Sequence, residues 1–216
     1  MESKDRENPI HLESNSEEKM DFYIAPILPY VSENHLDIGC GEGSIINRIS
    51  NRKRNSKITG FDIDKEVIEL AQKKPVNKHL DLTSDINYLK DRTFESASSI
   101  FTLHEAGKEL FKTASDKLKS GGILTIVDYN LIKDSGEENS KNLNDRFYSL
   151  EEFVNIFSST EREVEELAEL GPHQAYRLHT RFNMKSCQRI AEESGFKTID
   201  SKKLNQKYFF WVGSRE

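Results

Sequence analysis

The sequence predicts an α/β protein, a mainly parallel sheet with helices on both faces. Three observations predict it. Short apolar segments alternate with helix-patterned ones from His35 to Tyr129, the signature of strand–crossover–strand units. A glycine-rich turn, Gly39-Cys40-Gly41-Glu42-Gly43, sits where the first strand pattern gives way to a helix pattern. Two closing strand patterns, near 196–201 and 207–212, are too close for a crossover helix. They must be antiparallel neighbours.

Residues 1–19 hold three apolar side chains, Met1, Ile10 and Leu12, and read as a flexible N-terminal arm. Residues 20–216 read as one folded domain. Apolar residues return from Met20 to Val31, where Pro26 and Pro29 limit any helix to short pieces. His35–Ile38 is the first strand, and Ile45, Ile46 and Ile49 mark the helix that follows the glycine turn. Lys57–Phe61 is the second strand. Val67, Ile68 and Ala71 lie on a helix that Asp64 can cap. Lys78–Leu82 and Ser96–Leu103 are the third and fourth strands. The next helix carries Leu110, Phe111, Ala114 and Leu118, with Gly121-Gly122 as its stop. Ile123–Tyr129, the most β-branched run, is the fifth strand.

Residues 131–182 break the alternation. Lys133–Asn144 is polar and loop-like. Ser149 with Glu152, and Thr160 with Glu163, form capping boxes that start two helices. Gly171-Pro172 ends the second. The segment is a helical insertion after the fifth strand, placed to act as a lid. A last helix runs from the N-cap Asn183 to Gly195.

Composition narrows the function. The chain has 216 residues, 35% hydrophobic and 31% charged, with a formal charge of −6. That balance argues against a general nucleic-acid binder, although Arg52, Lys53, Arg54 and Lys57 cluster locally. No apolar run approaches the ~20 residues that span a bilayer, so no membrane partner is expected. The polar, acid-rich start has no signal-peptide pattern. Two cysteines, Cys40 and Cys187, make neither a disulfide framework nor a zinc motif. A cytoplasmic protein is expected.

The chemistry concentrates in Leu36-Asp37-Ile38-Gly39-Cys40-Gly41-Glu42-Gly43-Ser44, between strand and helix. Glycines let backbone approach a ligand closely. A dinucleotide fingerprint would put its third glycine at 44, where Ser44 stands. Asp37 is out of place beside a pyrophosphate and well placed beside an ammonium. Asp62, at the end of the second strand, can accept from ribose hydroxyls. Asp81, at the end of the third, can accept from an adenine amino group. Ile63 and Leu82 supply apolar walls. Cys40 reads as a small buried filler rather than a nucleophile.

These segments, with FTLHE at 101–105 and LKSGGILTIVDY at 118–129, resemble the class I S-adenosylmethionine-dependent methyltransferases. The resemblance covers about residues 34–130 and extends to the closing strand pair. It implies a Rossmann-like seven-stranded sheet of order 3-2-1-4-5-7-6 with its last pair antiparallel, and S-adenosylmethionine as cofactor. It implies a cofactor site of Asp37, Gly39, Cys40, Gly41, Gly43, Asp62, Ile63, Asp81, Leu82 and Phe101. Departures are Ser120, where the family carries proline before the glycine pair, and the acid commonly found just before the fourth strand, which is Glu95 here.

His104 follows the fourth strand pattern and is the candidate catalytic base; a role in lining the pocket stays open beside it. Tyr23, Glu105, His173, Tyr176 and His179 are candidate substrate contacts. The spacing of His173 and His179 is poor for a metal, and none is expected. The expected acceptor is a small molecule. A protein or peptide acceptor, and a cofactor-binding partner protein without turnover, are the alternatives. The asparagine-proline signature for methylating base amines is absent.

Overall fold

In the computed structural model, residues 16–74, 77–131 and 148–216 are described. The strands are β1 (Asn34–Ile38), β2 (Lys57–Phe61), β3 (Leu80–Thr83), β4 (Phe94–Ile100), β5 (Leu118–Tyr129), β6 (Phe196–Lys203) and β7 (Tyr208–Arg215). They form one sheet of the expected order, β3-β2-β1-β4-β5-β7-β6. Only β7 runs against its neighbours.

The helices are α1 (Ser16–Ile24), α2 (Ser44–Arg52), α3 (Lys65–Lys73), α4 (Leu103–Ala106), α5 (Lys108–Lys117), α6 (Leu150–Phe157), α7 (Glu161–Leu170), α8 (Pro172–His179) and α9 (Met184–Glu193). Burial of their apolar stripes assigns them to layers. Ile46 and Ile49 of α2, with Ile68 and Ala71 of α3, share a core with Ile58, Leu80, Val127 and Phe210. On the opposite face Phe111 and Ala114 of α5, with Cys187 and Ile190 of α9, join Leu36, Leu124, Ile126 and Trp211. A third cluster lies beneath the insertion, where Phe153, Phe157 and Ala175 meet Tyr129, Leu131 and Tyr208.

Several boundaries differ from the sequence expectation. Residues 1–15 of the arm and the polar stretch 132–147 lie outside the described residues. Helix α1 begins at Ser16 and so takes in the last four residues assigned to the arm. The fourth strand runs from Phe94 to Ile100, not to Leu103, because Phe101 has a φ of 57° and turns the chain. Helix α5 stops at Lys117, before the glycine pair. The cause is β4, whose edge needs a partner early: Leu118 pairs with Phe94 and Ile123 with Ser96. Residues 119–122 are extruded as a bulge, with Gly121 at a φ of 75°.

The Ser149 capping box is complete. At Thr160 only half forms: the hydroxyl accepts from the Glu163 amide, while the Glu163 carboxylate turns to Lys207, Tyr129 and Tyr208. Lys207 Nζ also donates to Phe157 O at 2.8 Å and Ser159 Oγ at 2.9 Å. This buried pair pins the insertion to the β6–β7 turn. Glu163→Ala strips the ammonium of its counter-charge and should cost about 3–5 kcal/mol, against about 1 kcal/mol for Thr160→Ala. Urea unfolding of both variants measures the difference.

Candidate functional site

The sheet order reverses between β1 and β4, and the chain leaves these strands toward opposite faces. That opens a crevice at their carboxyl ends, the ligand position of open α/β sheets. Gly39, with φ of 77°, lines its bottom; a Cβ there would stand 2.2 Å from Thr102 Oγ1. The amides of Gly39 and Cys40 both donate to Phe61 O, at 2.7 and 3.1 Å. Gly43, φ 76°, is the N-cap of α2. Gly41, φ 52°, has open space where its Cβ would be. Asp62 braces the loop, accepting from Gly41 N at 2.9 Å and Asp64 N at 3.0 Å. Asp64 caps α3, as its sequence position indicated.

Around this loop stand the other expected cofactor residues. Ile63 is 88% exposed, a large apolar side chain left open to solvent. Leu82 is buried, and Asp81 accepts from Tyr88 Oη at 2.8 Å. Cys40 is buried, and that burial, with the charges of Asp37 and Asp62, pushes its thiol far above the ordinary range. Both features fit a small buried side chain rather than a nucleophile. Asp37 is 3% exposed and accepts from Ser98 Oγ at 2.5 Å. Burial pushes its carboxyl up to about 7; Ser98 pulls it down and Asp62 pushes it further up.

The other end of the crevice is built by α4 and the insertion. His104 is not the first residue past β4: the turn at Phe101 and Thr102 intervenes, and His104 lies on α4. Its ring, 5% exposed, points beneath the end of β5 rather than into open space. Nδ1 lies 2.9 Å from Asp128 Oδ1, which also accepts from Tyr129 N at 2.7 Å. The His104 amide donates to Oδ2 at 3.3 Å. A carboxylate only accepts, so Nδ1 carries the hydrogen and Nε2 is left as an acceptor. Burial works against charge on His104, but Asp128, Glu105 and Glu166 outweigh it and raise the imidazole above its usual value.

His179 of α8 lies over this ring at 4.6 Å, and against Tyr129 at 4.5 Å and Phe157 at 4.3 Å. Its Nε2 bonds to Glu166, while Nδ1 is buried with no hydrogen-bond partner among the described residues. Glu105 is exposed, with Oε1 3.7 Å from His104 Nε2. Phe101 and Tyr23 meet at 4.7 Å, and each lies 5.1–5.3 Å from Tyr208. Two expected substrate contacts are not brought here. His173 is exposed at the first turn of α8, off the face that carries Ala175 and His179 inward. Tyr176 donates to Tyr148 O at 2.9 Å and packs on Phe153, holding the insertion together. Asp128, absent from the sequence reading, is the residue it missed; an acid ending so β-branched a strand was the available signal.

The family model for the methyltransferase domain matches residues 31–199. The chain belongs to that family. It carries the methyltransferase domain of the class I, S-adenosylmethionine-dependent fold. A methyltransferase structure from Aquifex aeolicus is similar in fold, with a TM-score of 0.59 at 19% identity over 95% of this chain and 93% of that one. Phosphoethanolamine N-methyltransferase 2 of Haemonchus contortus also reaches 0.59, at 13% identity over 89% of this chain and 52% of that one. A release factor glutamine methyltransferase of Fusobacterium nucleatum is 36% identical over 61 residues, 28% of this chain and 16% of that relative's length.

The residues of this methyltransferase fit its cofactor. The loop has no side chain on the Gly41 side, Asp62 keeps carboxylate lone pairs beside it, and Ile63 offers bare apolar surface. Two glycine variants should therefore behave differently. Gly39→Ala meets Thr102 as well as the strained φ and should unfold at markedly lower temperature. Gly41→Ala faces only the strain, about 1–2 kcal/mol, and should stay folded while its methyl blocks S-adenosylmethionine. Thermal melting and titration calorimetry separate the two losses.

Proposed function

We propose that this methyltransferase acts on a small molecule bearing a hydroxyl, amine or thiol, with His104 as the base. The cofactor supplies an electrophilic methyl carbon on a sulfonium sulfur. Asp37 faces its ammonium, Asp62 its ribose and Asp81 its adenine, with Ile63 and Leu82 as walls. The observation that carries the acceptor reading is the covered His104–Asp128 dyad. Helices α6–α8 lie over it, and a folded protein or nucleic-acid strand does not reach a ring enclosed in this way. The ring nitrogens that would face a small acceptor are Nε2 of His104 and Nδ1 of His179, the latter buried with no hydrogen-bond partner among the described residues. Asp128 fixes the tautomer that leaves Nε2 basic, and Phe101, Tyr23, Tyr129 and Tyr208 keep water away. Alignment of nucleophile with the methyl carbon is the larger contribution.

The Fusobacterium relative favours a second reading, a protein side chain as acceptor, over its 61 matched residues. Labelled S-adenosylmethionine, incubated with the enzyme and a fractionated cell extract, decides between them. Label is expected in the small-molecule fraction; label confined to protein overturns the proposal.

Asp62→Ala should weaken S-adenosylmethionine binding by about 1.5–3 kcal/mol in calorimetry, the range for hydrogen bonds to a charged group. Turnover should rise with pH through a midpoint above the ordinary histidine value of about 6.5, because the base is the neutral ring and His104 is held protonated longer. Asp128→Asn removes the main raising charge, so the midpoint should fall even as the rate drops. His104→Gln, which cannot take the proton, should abolish that limb and lower turnover about 10²–10⁴-fold.

A further inference from the structure

A line of buried polar groups crosses from β4 to β1 below Asp37. Ser32 N donates to Ser96 Oγ at 2.9 Å, and Ser96 Oγ lies 2.8 Å from His35 Nδ1. His35 Nε2 lies 2.9 Å from Ser98 Oγ, which donates to Asp37 Oδ1 at 2.5 Å. His35 is 1% exposed, and both serines are fully buried. Core strands do not need such groups, which cost free energy unless every one is partnered.

Counting hydrogens fixes their direction. Each hydroxyl has one to give. With Asp37 as a carboxylate, the Ser98 hydrogen goes to Oδ1, and Ser98 Oγ accepts from His35 Nε2–H. His35 Nδ1 is then an acceptor and takes the Ser96 hydrogen, while Ser96 Oγ accepts from Ser32 N. Every group is used, and His35 is neutral. Burial, with the charge of Lys53 beside it, lowers the His35 imidazole to about 3, so it stays neutral while Asp37 titrates. A proton on Asp37 that turns toward Ser98 reverses the line. Ser98 must then point at His35, His35 must change tautomer, and the Ser96 hydrogen loses its acceptor. The chain of bonds therefore favours the ionised carboxyl.

We propose that His35 and Ser98 are positioning residues for cofactor binding, holding Asp37 ionised and aimed at the ammonium of S-adenosylmethionine. The proposal rests on the reading of Asp37 given above. Ser98 from β4 and, through it, His35 on β1 favour the charge. Burial and Asp62, at the end of β2, oppose it, and Cys40 in the loop stays an uncharged thiol. The opposing influences leave the carboxyl near 7, so the balance is close enough for one hydrogen bond to shift it. Below that midpoint, binding must expel a proton, and affinity falls about tenfold per pH unit.

The test pairs two measurements: ¹³C NMR titration of the Asp37 carboxyl in ligand-free protein, and calorimetry of S-adenosylmethionine binding near neutral pH. Ser98→Ala should raise the Asp37 midpoint by about one to two pH units and weaken binding about tenfold. Ser98→Thr should restore both. His35→Gln, able to keep both bonds, should sit near wild type, while His35→Leu should shift in the direction of Ser98→Ala. Weaker binding in Ser98→Ala with an unmoved Asp37 midpoint overturns the proposal, as does a shifted midpoint with unchanged binding. Asp37→Asn is the control for the underlying reading. If it binds S-adenosylmethionine like wild type, Asp37 does not face the ammonium, whatever Ser98 does to its titration.

Discussion

The carboxyl edge of the sheet depends on how closely the loop after β1 meets the turn after β4. At Gly39 nothing larger than hydrogen fits, and the Thr102 side chain occupies the place of a Cβ. This is the switch point, where adjacent parallel strands send their chains to opposite faces. Phe101 makes that departure with a φ of 57°, strain that costs of order 1–3 kcal/mol. It is held by the bond from Phe101 N to Val127 O at 2.9 Å and by Tyr23, Tyr129 and Tyr208 around its ring. The same bend turns α4 back beneath β5 and delivers His104 to Asp128. One close approach thus shapes the glycine loop and places His104 against Asp128.

What could be read from the sequence was local. The alternation of strand and helix patterns, the glycine loop at a junction and the Asp64 cap each depend on neighbours within a few residues. The strand order does not, and came only with the family resemblance. Asp128 offered only its place near the end of a β-branched strand, because its meaning arrives with a ring from α4, 24 residues back along the chain. Glu163 looked like a box partner for the same reason; Lys207, remote in sequence, takes its carboxylate instead. Gly121-Gly122 signals a helix stop and a bulge equally well, and the pairing demand of β4 decides between them. The misplacement of His173 was avoidable: Ala175 and His179 sit one helical turn apart on one stripe, and His173 is off it.

The two buried acids of the site lie on opposite faces of the sheet. Asp37 alternates with Leu36 and Ile38, so it faces the layer of α1–α3. Asp128 shares the face of Leu124 and Ile126 with α5 and α9. Burial penalises each charge, and each is met by a different kind of support. Asp37 has one hydroxyl, backed by a neutral histidine that cannot share its charge. It stays close to balance. Asp128 is met by two backbone amides and an imidazole. The first acid has one donor and the second has three.

The partners of Asp128 matter because of what covers them. The insertion brings Glu163 and Glu166 over the aromatic layer, and each carries its own cation or ring partner, Lys207 and His179. Without those partners the cover would lay bare carboxylates against apolar rings, and it would not close. With them it closes over His104, and the lower dielectric strengthens the Asp128–His104 attraction. Burial alone would weaken the basicity of the ring; Asp128, with Glu105 and Glu166, outweighs it and raises the imidazole. The insertion, Asp128 and His104 are therefore one packed unit, and Asp128 comes from the strand whose end the insertion hides.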